Sequence, residues 1–323
     1  MALLFVNLVE TKIIAVPNSC RGTVYLLLFS VALLFGCKKE EVTFTDNDIP
    51  EYSGVPTVLV QNYVNRLFID LIGREPLDTE MDAEVIFLEE NELSVNARTT
   101  LVNKLMFNTN YLPGDSSYNY AYFTRLYDNA KARMIQGASD AVIMQQYGIF
   151  NNAAINDSLG GNLTGYELNR QQADRLLAIV NSREELRNEE IEIDEMFRRL
   201  IFNSIYDQIN MNSFNFVNAS FDDLFYRFPT QAEFDNAYDV IEFNQPAVIF
   251  GEVVQNKTEY LNVLTASPEY SEGMVIWAYN SLLARDPSSQ EVFVAAGNFG
   301  STMNFQSIQR GILISDEYAG FDD

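Results

Sequence analysis

The chain has 323 residues, 47% hydrophobic and 13% aromatic, which is enough apolar material for one large domain or two smaller ones. Histidine is absent from the sequence, which removes the usual general base, the commonest metal ligand and any haem attached through a Cys-x-x-Cys-His motif. The formal net charge of −24 disfavours binding to nucleic acids and to anionic lipid headgroups. Such acidity keeps an exposed protein soluble and suits a cationic partner or bound divalent ions.

The N-terminal segment predicts export. Arg21 precedes an apolar run of 12 residues, 24–35, which is too short to span a membrane but typical of a signal-peptide core. The run ends in Leu-Phe-Gly-Cys37, which resembles the lipobox of bacterial lipoproteins. This resemblance implies that residues 1–36 are a signal peptide and that Cys37 is acylated, for example by palmitate. The alternative is a buried helix ending in an ordinary cysteine. The apolar stretch before Arg21 fits no standard signal-peptide start, so we expect the true start codon to lie further on.

Residues 37–55 are polar and acidic, contain proline and glycine, and are predicted to form a tether. Its beginning, Lys39-Glu40-Glu41, resembles the surface-export signal of Bacteroidetes lipoproteins. The resemblance implies a lipid anchor in the outer membrane and display on the cell surface. The alternative interpretation is an ordinary charged linker.

Three copies of one pattern, Leu-x-x-Arg-x-Pro-x-x-x-Glu, predict helical modules. The signature residues are Arg74, Pro76 and Glu80, then Arg227, Pro229 and Glu233, then Arg285, Pro287 and Glu291. Each leucine (Leu71, Leu224, Leu282) follows an aromatic residue by three positions, which places both on one core-facing helical stripe. We expect the arginine to bond the last carbonyl groups of its helix, and the proline to stop that helix.

The signature glutamates are predicted to start the next helices. Thr230–Glu233 and Ser288–Glu291 match the capping-box pattern, in which the hydroxyl caps the first turn and the glutamate reaches back. In the first copy Leu77 occupies the capping position, so Asp78 is predicted to cap instead. Such structural roles account for every repeated arginine and glutamate. They are favoured over the alternative of a catalytic site.

Each copy also has a similar end, with an apolar residue, a small polar residue three positions later and a tyrosine three after that. The ends are Leu105–Tyr111, Leu264–Tyr270 and Ile312–Tyr318. This spacing predicts a third helix and gives modules of roughly 50 residues that bury their faces against neighbours. The predicted modules are 56–111, 213–270 and 271–319, followed by a tail, 320–323. The predicted fold class is therefore all-α.

A helical insertion, 112–212, separates the first two modules. Stretches 117–136 and 183–209 carry apolar residues at three- and four-residue spacing, which predicts two long amphipathic helices. Between them, 151–165 is rich in turn-forming residues and is predicted to be a long loop. Long loops on rigid scaffolds are where binding sites usually lie.

The insertion also carries an acidic cluster in which calcium binding is conceivable. The carboxylates are Glu184, Glu185, Glu189, Glu190, Glu192, Asp194 and Glu195. The favoured alternative is a solvated helix face that pairs with Arg187, Arg198 and Arg199. No other cofactor is predicted.

The first module resembles the domain of unknown function found beside cytochrome c segments in planctomycete secreted proteins. The resemblance rests on Arg66, Asp70-Leu71, Gly73, Pro76 and Glu80, followed by the apolar stretch 101–111. Modules two and three resemble more loosely the helical repeat of phycobilisome linkers, which shares the order Leu, Arg, Pro, Glu. Neither family implies an established activity. Because the sequence lacks a Cys-x-x-Cys-His motif, a redox function is not carried over.

Two classes of function remain. The favoured one is a non-enzymatic cell-envelope lipoprotein, a helical adaptor or binding protein that contacts an unknown protein or polymer across its inter-module grooves. The alternative is a carboxylate-dependent hydrolase of a surface polymer such as a glycan, which needs an Asp/Glu pair roughly 5 to 10 Å apart. No nucleophile, zinc or phosphate-loop motif singles out such a pair, so no catalytic or metal-binding residue is predicted.

Overall fold

Fifteen α-helices make up most of the computed structural model, which describes residues 54–112 and 116–321. The all-α prediction is thereby confirmed. The described residues belong to one compact unit, Ser53–Asp323. Within these ranges no helix has the length and apolar character needed to cross a bilayer. The predicted signal peptide, Cys37 and Lys39-Glu40-Glu41 lie outside the described residues.

The first and second predicted modules each contain three helices, the third contains four, and the insertion contains five. The first module comprises α1 (Thr57–Leu67), extended by a wider π-helical turn (Phe68–Ile72), α2 (Asp78–Glu90) and α3 (Val95–Phe107). The insertion comprises α4 (Tyr118–Met134), α5 (Asp140–Gly160), α6 (Leu163–Arg187), α7 (Ile193–Ile201) and α8 (Ser204–Asn210). The second module comprises α9 (Ser213–Phe225), α10 (Gln231–Phe243), a hairpin of β1 (Ala247–Ile249) and β2 (Glu252–Val254), and α11 (Lys257–Ala266). The third comprises α12 (Pro268–Leu283), α13 (Ser289–Thr302), α14 (Phe305–Leu313) and the short α15 (Asp316–Ala319).

The first helix of every module ends at a left-handed residue just before the signature arginine. These residues are Gly73, Tyr226 and Ala284, with φ of 81°, 58° and 53°. Only glycine adopts this conformation freely, so Tyr226 and Ala284 hold the backbone in a region that L side chains rarely occupy. The proline follows in the connection, and the next helix begins two residues later. The predicted order of helix stop, proline and helix start is therefore present three times.

The prediction that the signature arginine bonds the last carbonyl groups of its helix is wrong. Arg227 instead reaches forward, donating from Nη1 to the carbonyl oxygen of Phe228 at 3.1 Å. Its two Nη atoms also bond both carboxylate oxygens of Glu233, at 2.9 and 2.7 Å. Arg74 makes the same two-pronged pair with Glu80, and Arg285 with Glu291. The left-handed residue reverses the chain, so the arginine faces the start of the next helix.

The signature glutamate also caps the helix that it begins. Glu233 accepts the backbone N–H of Thr230 at 2.7 Å, and the Thr230 hydroxyl accepts the N–H of Glu233. The capping box at Ser288 is complete in the same way. In the first copy Glu80 accepts the N–H of Leu77 at 2.7 Å. Leu77 has no hydroxyl group, so the second bond of the capping box, to the N–H of Glu80, is not made by a side chain. The prediction that Asp78 caps is wrong, because Asp78 is already the first helical residue.

An aromatic ring completes each arginine site. The guanidinium carbon of Arg227 lies 5.2 Å from the centre of the Phe221 ring. The equivalent distances are 5.6 Å from Arg74 to Phe68 and 5.0 Å from Arg285 to Tyr279. We call the signature arginine, its glutamate and this ring the arginine clamp. The predicted leucine stripe is confirmed, since Leu71, Leu224 and Leu282 are all buried.

A second glutamate strengthens the two later clamps. Glu269 accepts from Nε and Nη2 of Arg227 at 3.0 and 2.7 Å, and Glu317 accepts from the same atoms of Arg285 at 2.6 and 2.7 Å. Each of these glutamates immediately precedes the tyrosine predicted to end its module. The clamp therefore ties the start of a module to its end.

The third helix of each module is predicted to end at a tyrosine, and in no copy does it do so. Ser267 and Ser315 accept the N–H of Tyr270 and Tyr318, so that both tyrosines begin a further helix and are buried. The 270/271 boundary therefore falls inside α12. Tyr111, by contrast, is 73% exposed, because the chain leaves α3 in an extended connection before α4.

Modules two and three pack through a close helix crossing. A Cβ atom built on Gly273 of α12 would lie 1.9 Å from the carbonyl oxygen of Leu224 in α9. This is far below any permitted contact, so only glycine allows the two helices to approach so closely. The leucine of one signature therefore lies at the contact with the next module.

The first module packs against the end of the third. The Tyr63 hydroxyl donates to the carbonyl oxygen of Leu313 at 3.0 Å, and the Tyr318 hydroxyl donates to Asp70 at 2.7 Å. Arg66 stacks over the Tyr318 ring at 4.0 Å and donates to the Tyr318 carbonyl oxygen. Module one therefore packs against module three, and the array closes on itself. Module one also contacts the insertion, since the Tyr118 hydroxyl of α4 donates to Glu80 at 2.7 Å.

The predicted loop 151–165 is wrong. This stretch is the end of α5 and the beginning of α6, which form a helical hairpin. The Asp157 carboxylate joins the two helices by accepting from the side-chain amides of Asn162 and Asn169, at 3.0 and 2.8 Å. Gly161, with φ of 76°, makes the reversal. The turn-forming residues of this stretch lie in the two-residue connection between α5 and α6 and in the helical turns on either side of it.

The predicted long helix 183–209 is also divided. It consists of the end of α6, then α7 and α8. Glu189, with φ of 59°, follows the end of α6, and Asn203 caps α8 by accepting the N–H groups of Ile205 and Tyr206. The three- and four-residue spacing of apolar residues continues through both helix ends, because α7 and α8 each bury an apolar face of their own.

Substitutions in the second module separate the core from the cap. Leu224→Ala should lower the free energy of unfolding by about 2 to 5 kcal/mol, because it leaves a cavity at a buried site. Thr230→Ala should cost about 0.5 to 2 kcal/mol, as the loss of a helix cap does. Exposed Phe228 is the control, and Phe228→Ala should change stability little. Urea unfolding followed by circular dichroism measures all three, and equal losses at Leu224 and Phe228 would contradict the packing described.

Candidate functional site

A cavity of about 480 Å³ lies where the three modules and the insertion meet. Asp70 of the first module, Asn129 of the insertion, Tyr226 of the second module and Trp277 of the third all line it. We call it the junction cavity. Its volume is within the range of small-ligand pockets, which commonly lie where separate parts of a fold meet.

One face of α4 supplies the positive charge of the junction cavity. Arg125, Asn129 and Arg133 line it at four-residue spacing, so they lie on the same side of the helix. Two turns separate the arginines, or about 12 Å along the helix axis. The opposite side of α4 is apolar and buried, including Phe123 and Tyr127, which fixes the direction of the polar face.

Arg133 is held in place by the end of α9. Its Nε donates to the carbonyl oxygen of Asp223 at 3.0 Å, and its Nη2 donates to that of Asp222 at 2.8 Å. The guanidinium carbon also lies 3.7 Å from the centre of the Tyr226 ring. The carbonyl end of α9 is the negative end of its dipole, so the Arg133 charge is partly neutralised there.

Arg125 has no comparable support. Its Nε is buried without a hydrogen-bond partner anywhere in the described parts of the chain. Asp70 is near enough to interact electrostatically with Arg125, but the two form no ion pair. A Cβ atom built on Gly73 would lie 3.4 Å from Cδ of Arg125, so this glycine leaves room for the arginine stem. Arg125 thus presents an unpaired guanidinium at the junction cavity.

Asp70 is the one acidic side chain that lines the junction cavity. It accepts the Tyr318 hydroxyl at 2.7 Å and has Arg66 at 3.8 Å. Burial raises the pKa of Asp70, while the Tyr318 hydrogen bond and the charges of Arg66 and Arg125 oppose that shift. Asp70 is therefore part of the contact between modules one and three.

Uncharged polar groups form the opposite wall. Asn280 and Ser281 come from α12, and Gln309 comes from α14. The Gln309 carbonyl oxygen accepts the Tyr122 hydroxyl at 2.6 Å, so its amide nitrogen is left as the donor. Trp277 lies beside them, stacked on Phe305 with 4.9 Å between ring centres. Trp277 is the only tryptophan of the chain.

The signature residues do not converge on this site. Each arginine clamp lies in its own module, and no signature arginine, proline or glutamate lines the junction cavity. Sequence reasoning missed Arg125, Asn129 and Arg133 because no familiar motif contains them. Their four-residue spacing within the predicted helix 117–136 was the available signal.

The clamp glutamates are permanently ionised at ordinary pH. Hydrogen bonds from Arg227 lower the pKa of Glu233 to about 2, and those from Arg285 lower the pKa of Glu291 to about 2. For Glu80, burial opposes the shift, but Arg74 and the N–H of Leu77 still lower the pKa to about 2. Carboxylates held in this state are poor proton donors near neutral pH.

Three carboxylates of the acidic cluster, Glu184, Glu185 and Glu195, are engaged in ion pairs. Arg199 donates to Glu195 at 2.7 Å and also pairs with Glu185, while Arg187 pairs with Glu184 and Arg198 with Glu195. Within the described ranges, no group of three or more Asp, Glu or Cys side chains is arranged to hold a metal ion. Calcium binding stays an untested prediction.

No protein-family model matches the chain, and no curated protein or solved structure shows significant similarity to it. The resemblances to the planctomycete domain and to the phycobilisome linkers therefore stay predictions from the quoted residues.

Asp223, beside Arg133, predicts a pH dependence of stability. Burial raises the pKa of Asp223 to about 6, although its carboxylate accepts the Tyr206 hydroxyl at 2.8 Å. The folded state then binds a proton more tightly than the unfolded chain. The contribution of this group to stability should therefore fall as pH rises from about 4 to about 6.

Asp223→Asn should remove that slope and raise the free energy of unfolding at pH 7 by about 1 to 3 kcal/mol. The amide keeps an acceptor for Tyr206 and carries no charge. Asp222→Asn, at the exposed neighbouring position, is the control and should keep the slope. Urea titrations at several values between pH 4 and 7 provide the measurement, and an Asp223→Asn protein less stable than wild type at pH 7 would contradict the prediction.

Proposed function

We propose that this protein is a lipid-anchored envelope protein that binds a ligand in the junction cavity and acts as an adaptor, without catalysing a reaction. The supporting observation is the composition of that cavity. Polar side chains from four separate parts of the chain, including Arg125, Asn129 and Asn280, converge on one space beside Trp277. Convergent polar groups of this kind are what orient a bound ligand.

The alternative of a carboxylate-dependent hydrolase is less well supported. Such an enzyme uses a pair of carboxyl groups, one of which donates a proton. Of the side chains that line the junction cavity, Asp70 alone is a carboxylate, and it is engaged with Tyr318. The clamp glutamates are bound by arginines and stay charged. The site therefore favours binding over hydrolysis.

The tip of the α5–α6 hairpin supports the adaptor part of the proposal. Its exposed apolar side chains include Ile155, Leu159, Leu163 and Leu168. The surrounding stretch, 144–169, contains only two charged residues, in a chain whose net charge is −24. An exposed apolar surface with little charge suits contact with another protein. A ligand cavity and a separate contact surface are what an adaptor needs.

Anchoring rests on Cys37. Cys37→Ser should move the protein from the membrane fraction to the soluble fraction, because the acyl chains supply membrane attachment. Cys20→Ser is the matched control, since Cys20 precedes the proposed cleavage point, and it should leave the protein in the membrane fraction. Immunoblots of fractionated cells give the answer, and a membrane-bound Cys37→Ser protein would refute the anchor. Replacing Lys39, Glu40 and Glu41 by alanine should protect the protein from protease added to whole cells.

Trp277 makes binding and catalysis distinguishable. Fragments of envelope glycans should change the fluorescence of Trp277 saturably, and chromatography of the same mixtures should show no new products. Ser281→Phe should abolish the fluorescence response by filling the cavity, while Ser301→Phe, at an exposed position of α13, should retain it. Release of cleaved products, or an unchanged response in Ser281→Phe, would count against the proposed function.

A further inference from the structure

The junction cavity offers more hydrogen-bond donors than acceptors. Arg125 offers guanidinium N–H groups, and Arg133 keeps Nη1 as a donor because its Nε and Nη2 already donate to carbonyl oxygens of α9. The Gln309 amide nitrogen is also free to donate, because its oxygen accepts the Tyr122 hydroxyl. The one ionised acceptor of the lining, Asp70, already receives the Tyr318 hydroxyl. A ligand that satisfies this cavity must therefore bring acceptor oxygens.

The unpaired state of Arg125 does not reflect a shortage of carboxylates. The chain has 45 acidic and 21 basic residues, and arginines such as Arg74, Arg227 and Arg285 all have carboxylate partners. Arg125 has none, and its buried Nε has no hydrogen bond among the described residues. A buried donor without a partner destabilises the protein, and an acceptor bound there would remove that penalty.

The charges of the lining indicate how many negative charges the ligand carries. Arg125 and Arg133 contribute two positive charges and Asp70 one negative charge, which leaves a net charge of +1. A single carboxylate neutralises this cavity. A phosphate group, with nearly two negative charges at pH 7, would make it negative within a chain that already carries −24. The planar guanidinium also matches a carboxylate through two parallel hydrogen bonds.

We propose that the junction cavity binds a small polar ligand through a single carboxylate, which pairs with the guanidinium of Arg125. The remaining polar atoms of the ligand contact Asn129, Asn280, Ser281 and Gln309, a lining that suits hydroxyl groups. An acidic sugar has this chemistry. The inference rests on the proposed function, because it names the class of ligand for the same cavity.

The test compares ligands that differ only at the carboxylate. Glucuronate and glucose are titrated separately into the full-length protein, with Trp277 fluorescence and calorimetry as readouts, and inorganic phosphate is the third probe. Glucuronate should bind at least about tenfold more tightly than glucose, since a hydrogen-bonded ion pair is lost with the neutral sugar. Its affinity should fall as sodium chloride is added. Equal binding of glucose, tighter binding of phosphate, or no binding of glucuronate would overturn the proposal.

Substitution of Arg125 tests whether the carboxylate of glucuronate binds in the junction cavity. Arg125→Gln should weaken glucuronate binding about ten- to hundredfold and leave glucose unaffected. Arg125→Lys should restore only part of the affinity, because a lysine lacks the planar fork. Arg170→Gln, which breaks an exposed pair with Asp174 on the α5–α6 hairpin, is the matched control and should bind as wild type does. Unchanged glucuronate binding in Arg125→Gln would overturn the proposal.

The two proposals fail in different ways. If neutral glycan fragments change Trp277 fluorescence and Ser281→Phe abolishes that change, the cavity binds ligands and the proposed function stands. If Arg125→Gln then has no effect on glucuronate binding, only the assignment of the carboxylate to Arg125 is wrong. If glycan fragments are cleaved, the proposed function is wrong whatever Arg125 does. Should Arg125→Gln fail to fold, as judged by circular dichroism, the wild-type comparison of glucuronate, glucose and phosphate still decides the matter.

Discussion

The architecture depends on one ion pair made three times. In each arginine clamp a guanidinium bonds both oxygens of a glutamate that also caps the following helix. Isolated surface ion pairs contribute little to stability. A guanidinium that bonds both oxygens of a carboxylate and also lies against an aromatic ring is held in one orientation as well as at one distance from the carboxylate. The clamp therefore joins the end of the first helix to the start of the second in every module. The signature leucine that precedes each clamp is buried in all three copies.

The clamps act within the modules, and two further contacts join the modules to one another. Gly273 lets α12 cross α9 at the distance of a backbone contact, and Tyr318 joins the last helix to Asp70 in the first. The insertion occupies the remaining place between modules one and two, held to α9 through Arg133. The junction cavity is the space that these four bodies leave where they meet. Its polar lining forms only when the modules and the insertion pack together, since no single module contains all of the lining residues.

Local features of the fold were predictable from the sequence, because local rules decide them. Helix stops before Pro76, Pro229 and Pro287, and capping boxes at Thr230 and Ser288, follow from backbone chemistry within a few residues. The hairpin at 151–165 was misread because Asn, Gly and Ser tolerate both loops and paired helices, and a contact with the partner helix decides between them. The signature arginines reach forward because the residue before each of them has a left-handed backbone conformation. In two copies that residue is Tyr226 or Ala284, and neither residue type indicates a left-handed conformation from the sequence. Cavity residues such as Arg125 and Asn280 are far apart in sequence, so only the closed fold brings them together.

Closure also limits how this protein can change over time. An open solenoid lengthens by gene duplication, because each new repeat stacks on a free end. Among the described residues α1 packs against α15, so a duplicated module would have to displace this contact before it could stack there. Variation is instead free to accumulate where the array is interrupted, and the long α5–α6 hairpin lies at such a position. The adjacency of α1 and α15, the first and last helices of the described residues, makes this folded body a candidate for circular permutation, in which residues near 54 and 321 are joined and the chain is reopened at an exposed turn.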